Sequence, residues 1–347
     1  MNKRTNFAVD QNGENHTSCH KSNITRAPKK TVAKILFHCP VPIDSSKGNS
    51  VCAHRTLAVF EKLGHQLTFS ENASESDEFD FAIVQHAKRS EHLVSSLHGK
   101  IPVVLIITGT ELLLDAEDIA TSLKLADFIV VTSQQIGETL QRDFSEKIRV
   151  IPRSVLLPDN FEVYRSDDFR DSNIVTVIGH LRDVKRPATI ADAMRLLAAD
   201  SKLTVHHYGA ALTPEMETWA RNESQTNERF QWQGEASRLD VLKAITKSLL
   251  TVNSSIVEGG ANTIAESIVA GIPVLATPIA GNIGLLGEDY PGYFAIDDAA
   301  ELAEQLTLVE QRGSFYETLV SHTERLRPQF HIDQETAAWK QLVEELD

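Results

Sequence analysis

The chain has 347 residues, 41% hydrophobic and 24% charged, with 48 acidic against 34 basic side chains and a formal net charge of -14. That balance excludes a general nucleic-acid or anionic-membrane surface, since both need a basic face, while the length allows two domains with sizeable cores. No run of 18 apolar residues is present to span a bilayer, and three cysteines without a CxxC exclude a disulfide framework or zinc site and fit a reducing cytoplasm.

Residues 1–32 are polar, have no period and lack an apolar h-region, so they read as a disordered tail rather than a secretory signal. The sequons at Asn15 and Asn23 then read as chance. Short β-branched runs follow in order: AKILF (33–37), QLTF (66–69), DFAIV (80–84), PVVLII (102–107), DFIVV (127–131) and RVI (149–151). Helical patterns lie between them, as over 51–64 and 133–142. Residues 152–172 are rich in Pro, Asp and Ser and read as a connection between domains. A second series follows: IVTVI (174–178), LTVHHY (203–208), LLTV (249–252), PVLA (273–276) and YFAI (293–296). Helices are predicted over 187–199, 236–247 and 300–310, and a terminal helix over 331–347.

The strand runs are apolar on both faces, as in covered parallel sheets. Their alternation with helices predicts an α/β fold of two doubly wound, Rossmann-like domains, over 33–160 and 170–325, facing a central cleft. The helix at 331–347 is expected to pack back on the first domain. Ligands of such sheets bind at the carboxyl ends of the strands, so the loops there are the place to look for chemistry.

The most informative segment is SSIVEGGANTIAESIVAGIPVLATP, 254–278. It runs strand end, Gly259–Gly260, Ala261–Asn262, helix, Gly-Ile-Pro, strand. Glycines at a helix start let a diphosphate approach free N–H groups. Glu258 precedes the turn and can accept hydrogen bonds from sugar hydroxyls; Glu266, eight residues on, can accept two from a ribose diol. Two Glu at that spacing mean little alone; the surrounding strand–GG–helix–GIPV–strand supplies the weight.

This segment resembles the E-x7-E signature of the retaining GT-B glycosyltransferases of family 4. VIGHLRDVKRP, 177–187, resembles the same family's Gly-Arg-Leu with a Lys four positions later. Gly179, Leu181 and Lys185 match, His180 stands at the Arg position, and Arg182 is near enough to supply a cation instead. Lys185 is expected to neutralise the leaving diphosphate. Arg186 reads equally as a solvent-facing side chain. Gly209, after LTVHHY, is a candidate for contact with the nucleotide, while His206 and His207 read equally as ordinary strand residues.

Three first-domain loops are expected to open on the same cleft. HCPVPIDSSKGNSVCAHR (38–55) offers an anion loop with Lys47, Gly48, Asn49 and Arg55. VQHAKRS (84–90) offers His86 as a general base or acceptor-site donor, or else a structural histidine, with Lys88 and Arg89 adding positive charge. ITGTELLLD (107–115) offers Thr108, Gly109, Thr110 and Glu111.

KGNSVCAHRTLAVFEKLGH, QHAKRS, TGTELLLD, GHLRDVKRP, GNIGLLGEDYPGYF and the closing Phe330…Trp339 pattern together resemble a smaller group, the selenosugar synthases of selenoneine biosynthesis. The likeness runs from about Lys34 to Leu342; Glu111 stands where that group has Asp, and Cys39 and Cys52 lie outside its pattern. The resemblance implies transfer of a sugar from a UDP-sugar, with UDP-N-acetylglucosamine favoured, to selenophosphate. Selenium attacks the anomeric carbon, UDP leaves, and loss of phosphate gives a 1-selenosugar. Lys47, Arg55, His86, Lys88 and Arg89 would suit a trianionic acceptor, though phosphate, thiophosphate or a sugar phosphate would want the same charges. No Asp-x-Asp motif stands out, so no obligatory metal and no cofactor beyond the co-substrate are expected. The rival readings are another family 4 enzyme with a carbohydrate or small-metabolite acceptor, a sugar-nucleotide hydrolase or epimerase, and a non-catalytic nucleotide-sugar-binding module. A dinucleotide dehydrogenase is disfavoured, because no G-x-G-x-x-G follows an early strand.

Overall fold

The computed structural model describes residues 32–43, 45, 48–69, 78–113, 116–140, 142–158, 161 and 171–346. The tail expected over 1–32, apart from Val32, and the candidate Lys47 lie outside the described residues.

The first half runs β1 (Lys34–His38), α1 (Gly48–Lys62), β2 (Gln66–Phe69), β3 (Phe81–Gln85), α2 (Glu91–Leu97), β4 (Val103–Ile106), α3 (Ala116–Leu125), β5 (Phe128–Val131), α4 (Gln134–Thr139) and β6 (Ile148–Val150). Its six strands form one parallel sheet in the order β2-β1-β3-β4-β5-β6. Both faces are covered, which is why FAIVQ of β3 is buried at every position. One face packs Leu36, Val84 and Leu105 against α2 and α3. The other packs Ile35, Phe37 and Ile83 against α1.

The second half runs β7 (Ile174–Ile178), α5 (Pro187–Leu196), β8 (Thr204–Tyr208), α6 (Pro214–Thr226), β9 (Phe230–Gly234), α7 (Arg238–Thr246), β10 (Leu250–Asn253), α8 (Asn262–Ala270), β11 (Val274–Ala276), α9 (Ala280–Leu286), α10 (Ala299–Glu310) and α11 (Ser314–Leu326). Its sheet is parallel, in the order β11-β10-β7-β8-β9. The punctuation is local: Pro187 and Pro214 open α5 and α6, and Gly271, at φ 77, closes α8 in the left-handed region. The last helix, α12 (Ile332–Leu346), returns to the first half, where Trp339 stacks edge-on to Phe60 of α1 at 5.1 Å.

Two strand expectations need correction. YFAI (293–296) makes only an isolated bridge, Ala276 to Tyr293, because Pro291 and Gly292 precede it and a turn follows at once. FQWQG (230–234), not predicted as a strand, is β9. It is an edge strand with Gln231 and Gln233 exposed, so it lacks the two-sided apolar signature of the central strands.

Each sheet has one place where the winding direction reverses. In the first it lies between β1 and β3; in the second, between β7 and β10. Such switch points open a crevice at the carboxyl ends of the strands. The loops after β3, β7 and β10 are those that carry His86, Gly179–Lys185 and Ser254–Gly260. No helix among the described residues is long and apolar enough to cross a membrane.

Candidate active site

The loops after β7 and β10 are laced together. Ser254 Oγ donates to the carbonyl of Lys185 (2.7 Å), and Ile256 N–H donates to that of Val184 (2.9 Å). This brings Lys185 Nζ into an ion pair with Glu258 Oε1. Ser255 Oγ (2.7 Å) and Asn253 Nδ2 (3.4 Å) donate to the same oxygen. Burial pushes the Glu258 carboxyl up, but the Lys185 charge and these hydrogen bonds outweigh it and hold the group below the ordinary carboxylate range. Asn253 is itself held by the buried Asn282 (Nδ2 to Oδ1, 3.3 Å), in the GNIG segment.

Gly179 lies against the stem of Lys185. His207 Nε2 sits 3.0 Å from the Gly179 carbonyl and is 1% exposed. Burial and the Lys185 charge bring its pKa down to about 4, so the neutral ring donates to that carbonyl and fixes the loop. His180 is half-buried and accepts from Ala210 N–H (3.1 Å). A side chain on Gly209 would strike the Gly179 backbone, so its absence serves the close packing of two strand ends. Arg182 opens the turn that ends in Lys185, and its Nε has no partner among the described residues. Arg186 pairs with Asp297 (3.1 Å) at the surface.

Helix α8 begins at the seam between the two sheets. Its N-cap, Ala261, offers no side-chain hydrogen bond, so the first-turn N–H groups stay uncapped. Gly259 faces Gly109 of the first half so closely that a Cβ on either would strike the other's backbone. The missing side chain of Gly259 thus serves the fit of the two halves. Thr132 Oγ1 donates to the Gly259 carbonyl (2.7 Å) across the same seam. Asn262 Nδ2 donates to the Gly48 carbonyl (3.4 Å), while Asn49 is half-buried beside it. One turn further along α8, Glu266 is 7% exposed and pairs with Arg238 Nη2 at 3.1 Å. Burial raises its carboxyl above the ordinary range against the charges of Arg238, Arg153 and Arg55.

The first-half candidates divide. Gly109 reaches the seam, and His86 reaches the loop that carries it: its Nε2 lies 3.2 Å from Thr110 Oγ1 and 3.9 Å from Glu111 Oε2. His86 is 4% exposed and sits at φ 72, a left-handed conformation uncommon for a side chain other than glycine. Burial lowers its pKa, Glu111 opposes this and Arg89 adds to it. Arg89 N–H donates to Nδ1 (3.4 Å), so the neutral ring carries its proton on Nε2, toward Thr110.

Three further candidates for substrate contact have partners of their own in this structure. Glu111 is fully buried and accepts from Thr108 N, Thr108 Oγ1 and Gly109 N at 2.8–2.9 Å, closing its own turn. Arg55 is buried against Glu335 of α12 (2.8 Å) and is not an open loop cation. Lys88 points outward to Asp118 (3.0 Å) and Glu91 (3.8 Å). The Arg55 pair is buried and costly to break, whereas the Lys88 pairs are exposed and weak.

Two residues at the seam were missed. Cys52 lies 3.4 Å from Arg153 Nη1 and 3.7 Å from Arg55 Nη2. Burial pushes its thiol up, but the two arginines outweigh this and leave it below its ordinary value. Arg153 itself follows β6 and binds Asn262 Oδ1. Its only signal in the sequence is a basic residue in a connecting stretch, right after the last strand of the first half. Among the described residues no group of three or more His, Cys, Asp or Glu is placed to hold a metal ion.

Residues 161–325 match the family model described as glycosyl transferases group 1. Among solved structures, HepE from Anabaena in complex with UDP-glucose is similar at a TM-score of 0.70 and 15% identity, covering 90% of this chain and 100% of that one. Sucrose-phosphate synthase from Thermosynechococcus elongatus is similar at 0.74 and 14%, covering 90% and 99%. The pneumococcal O-GlcNAc transferase GtfA, in complex with UDP and GlcNAc, is similar at 0.61 and 16%, covering 77% of this chain and 56% of that one. The half of this chain that carries Lys185, Glu258 and α8 thus matches the glycosyl transferases group 1 family, on a two-sheet fold shared with GT-B glycosyltransferases.

Proposed function

We propose that this chain is a glycosyltransferase that takes a sugar from a UDP-sugar bound between its two halves. The observation that carries this reading is the juxtaposition of the Lys185–Glu258 pair with the uncapped start of α8, inside the segment that matches the group 1 family. A helix start and a lysine are what a leaving diphosphate needs, since negative charge grows there in the transition state. Solved relatives of the fold hold UDP, UDP-glucose or UDP with GlcNAc. In this reading Lys185 and Arg182 stabilise UDP as it leaves, Glu258 holds the donor sugar and Glu266 the ribose. Glu258 enters as a carboxylate already ionised by Lys185, able to accept from hydroxyl groups. Glu266 Oε1 is engaged by Arg238, and Oε2 would accept from the ribose diol.

For the acceptor we propose selenophosphate, with UDP-N-acetylglucosamine as donor, on the strength of the sequence resemblance. The Se–C1 bond forms as the C1–O bond to UDP breaks. A carbohydrate or other small-metabolite acceptor is the second reading, favoured by one observation. Arg55 and Lys88, two of the cations suited to a trianion, are engaged by Glu335 and Asp118. The deciding experiment is to mix purified protein anaerobically with UDP-N-acetylglucosamine and measure UDP, with and without fresh selenophosphate. UDP that depends on selenophosphate, with a selenium-bearing sugar by mass, supports the first reading. Release that depends instead on a sugar or metabolite acceptor supports the second. Release without any acceptor marks a hydrolase or epimerase, and UDP binding without release marks a non-catalytic module.

A further inference from the structure

Arg153 approaches the start of α8 from the segment that crosses between the sheets. It is only 5% exposed. Nη1 is occupied, donating to Asn262 Oδ1 and lying 3.4 Å from Cys52 Sγ. Nε is buried and has no hydrogen-bond partner among the described residues. It lies over the Gly260 turn, 3.2 Å from where a Cβ on Gly260 would stand. Gly260 is at φ 101, so the backbone there is kept bare beneath the guanidinium.

The charge around this point does not balance. Buried cations are costly without a counter-charge. Arg55, next to it, has Glu335. Arg153 forms no ion pair with a carboxylate among the described residues: it lies beside the Cys52 thiol, and Glu266, which feels its charge, is paired with Arg238. The uncapped N-terminus of α8 adds further partial positive charge on the same side. The missing partner is therefore an anion that brings oxygen acceptors to both Arg153 Nε and the helix start.

We propose that Arg153 is a further donor-binding residue: its Nε–H and the first-turn N–H groups of α8 together hold a phosphate oxygen of the nucleotide diphosphate. This rests on the nucleotide-sugar reading above. Cys52 and Asn262 act as positioning residues that hold the guanidinium fork in place, so that it meets the diphosphate already oriented. Because Arg153 belongs to the crossing segment, a bound diphosphate also ties the two halves together at the point where Gly109 meets Gly259.

Calorimetric titration of uridine, UMP and UDP into the wild type, R153Q and R153K tests this. R153Q is expected to weaken UDP about tenfold, the scale of one hydrogen bond to a charged group. Uridine should bind it as it binds the wild type, which also reports an intact fold, and R153K should lie between. R153Q that binds UDP as well as the wild type overturns the assignment, as does an equal loss for uridine and UDP. A wild type that binds no UDP overturns the nucleotide-sugar reading and this assignment with it, which separates the two failures.

Discussion

The loops of the second half and those of the first half carry similar residues but treat them differently. After β7 and β10, Lys185, Glu258 and the start of α8 converge, and their loops are held by hydrogen bonds. His207 fixes Gly179, and Ser255 and Asn253 fix Glu258. In the first half, charged residues of equal promise scatter. Arg55 turns inward to Glu335, Lys88 outward to Asp118, and Glu111 onto its own turn. A fixed spacing on a strand–turn–helix frame constrains where side chains go, whereas a tally of basic residues in a loop leaves their partners open.

The largest effect that could break this contrast is at Lys185. Lys185→Ala should slow UDP release from a UDP-sugar by about 100- to 1,000-fold, as loss of a group that stabilises developing negative charge does. A rate within a factor of a few of wild type would place the second-half cluster among structural ion pairs. Next comes Glu335→Ala, which leaves Arg55 buried and unpaired. Urea denaturation should show a loss of about 3 kcal/mol, while the folded fraction keeps its transfer rate. Lost acceptor saturation with unchanged stability would return Arg55 to the acceptor site.

A smaller effect is expected from His86. Its pKa is lowered mainly by burial, so the native ring is neutral where the unfolded ring begins to take a proton. The unfolded state then binds more protons, and stability rises with pH. The contribution is fully present above about pH 6.5 and is lost as pH falls from there toward the folded pKa. His86→Gln should flatten that part of the urea midpoint between about pH 7.5 and 5.5; an unchanged slope would mean His86 does not titrate on unfolding. The smallest effect belongs to Lys88→Ala. With its side chain exposed, both stability and acceptor saturation should match wild type, and a raised acceptor KM would show that Lys88 leaves Asp118 to meet the acceptor.

Much of the fold could be read directly. Ten of the strand runs fall on observed strands because buried parallel strands are apolar on both faces and stand out from helical periods. β9 was hidden because an edge strand needs only one apolar face, and YFAI misled because apolar residues after a Pro-Gly pair can pack without a partner strand. In the candidate site, the spacing singled out Lys185 and Glu258, which the structure pairs, and Glu266, which it places on α8. Arg153 was not legible, since what draws notice to it is the burial of its Nε over Gly260, which has no signal along the chain.

By itself, the order of residues along this chain determined two parallel sheets and the loops that end their strands. Those features follow from local period, β-branching and glycine placement, all of which act over a few residues. Only the tertiary structure decided which charge meets which: Arg55 with Glu335, 280 positions away, Arg153 with Asn262, 109 away, and Gly109 against Gly259. Ion pairs and close backbone approaches depend on distance in space, and spacing along the chain says nothing of that until the sheets have packed.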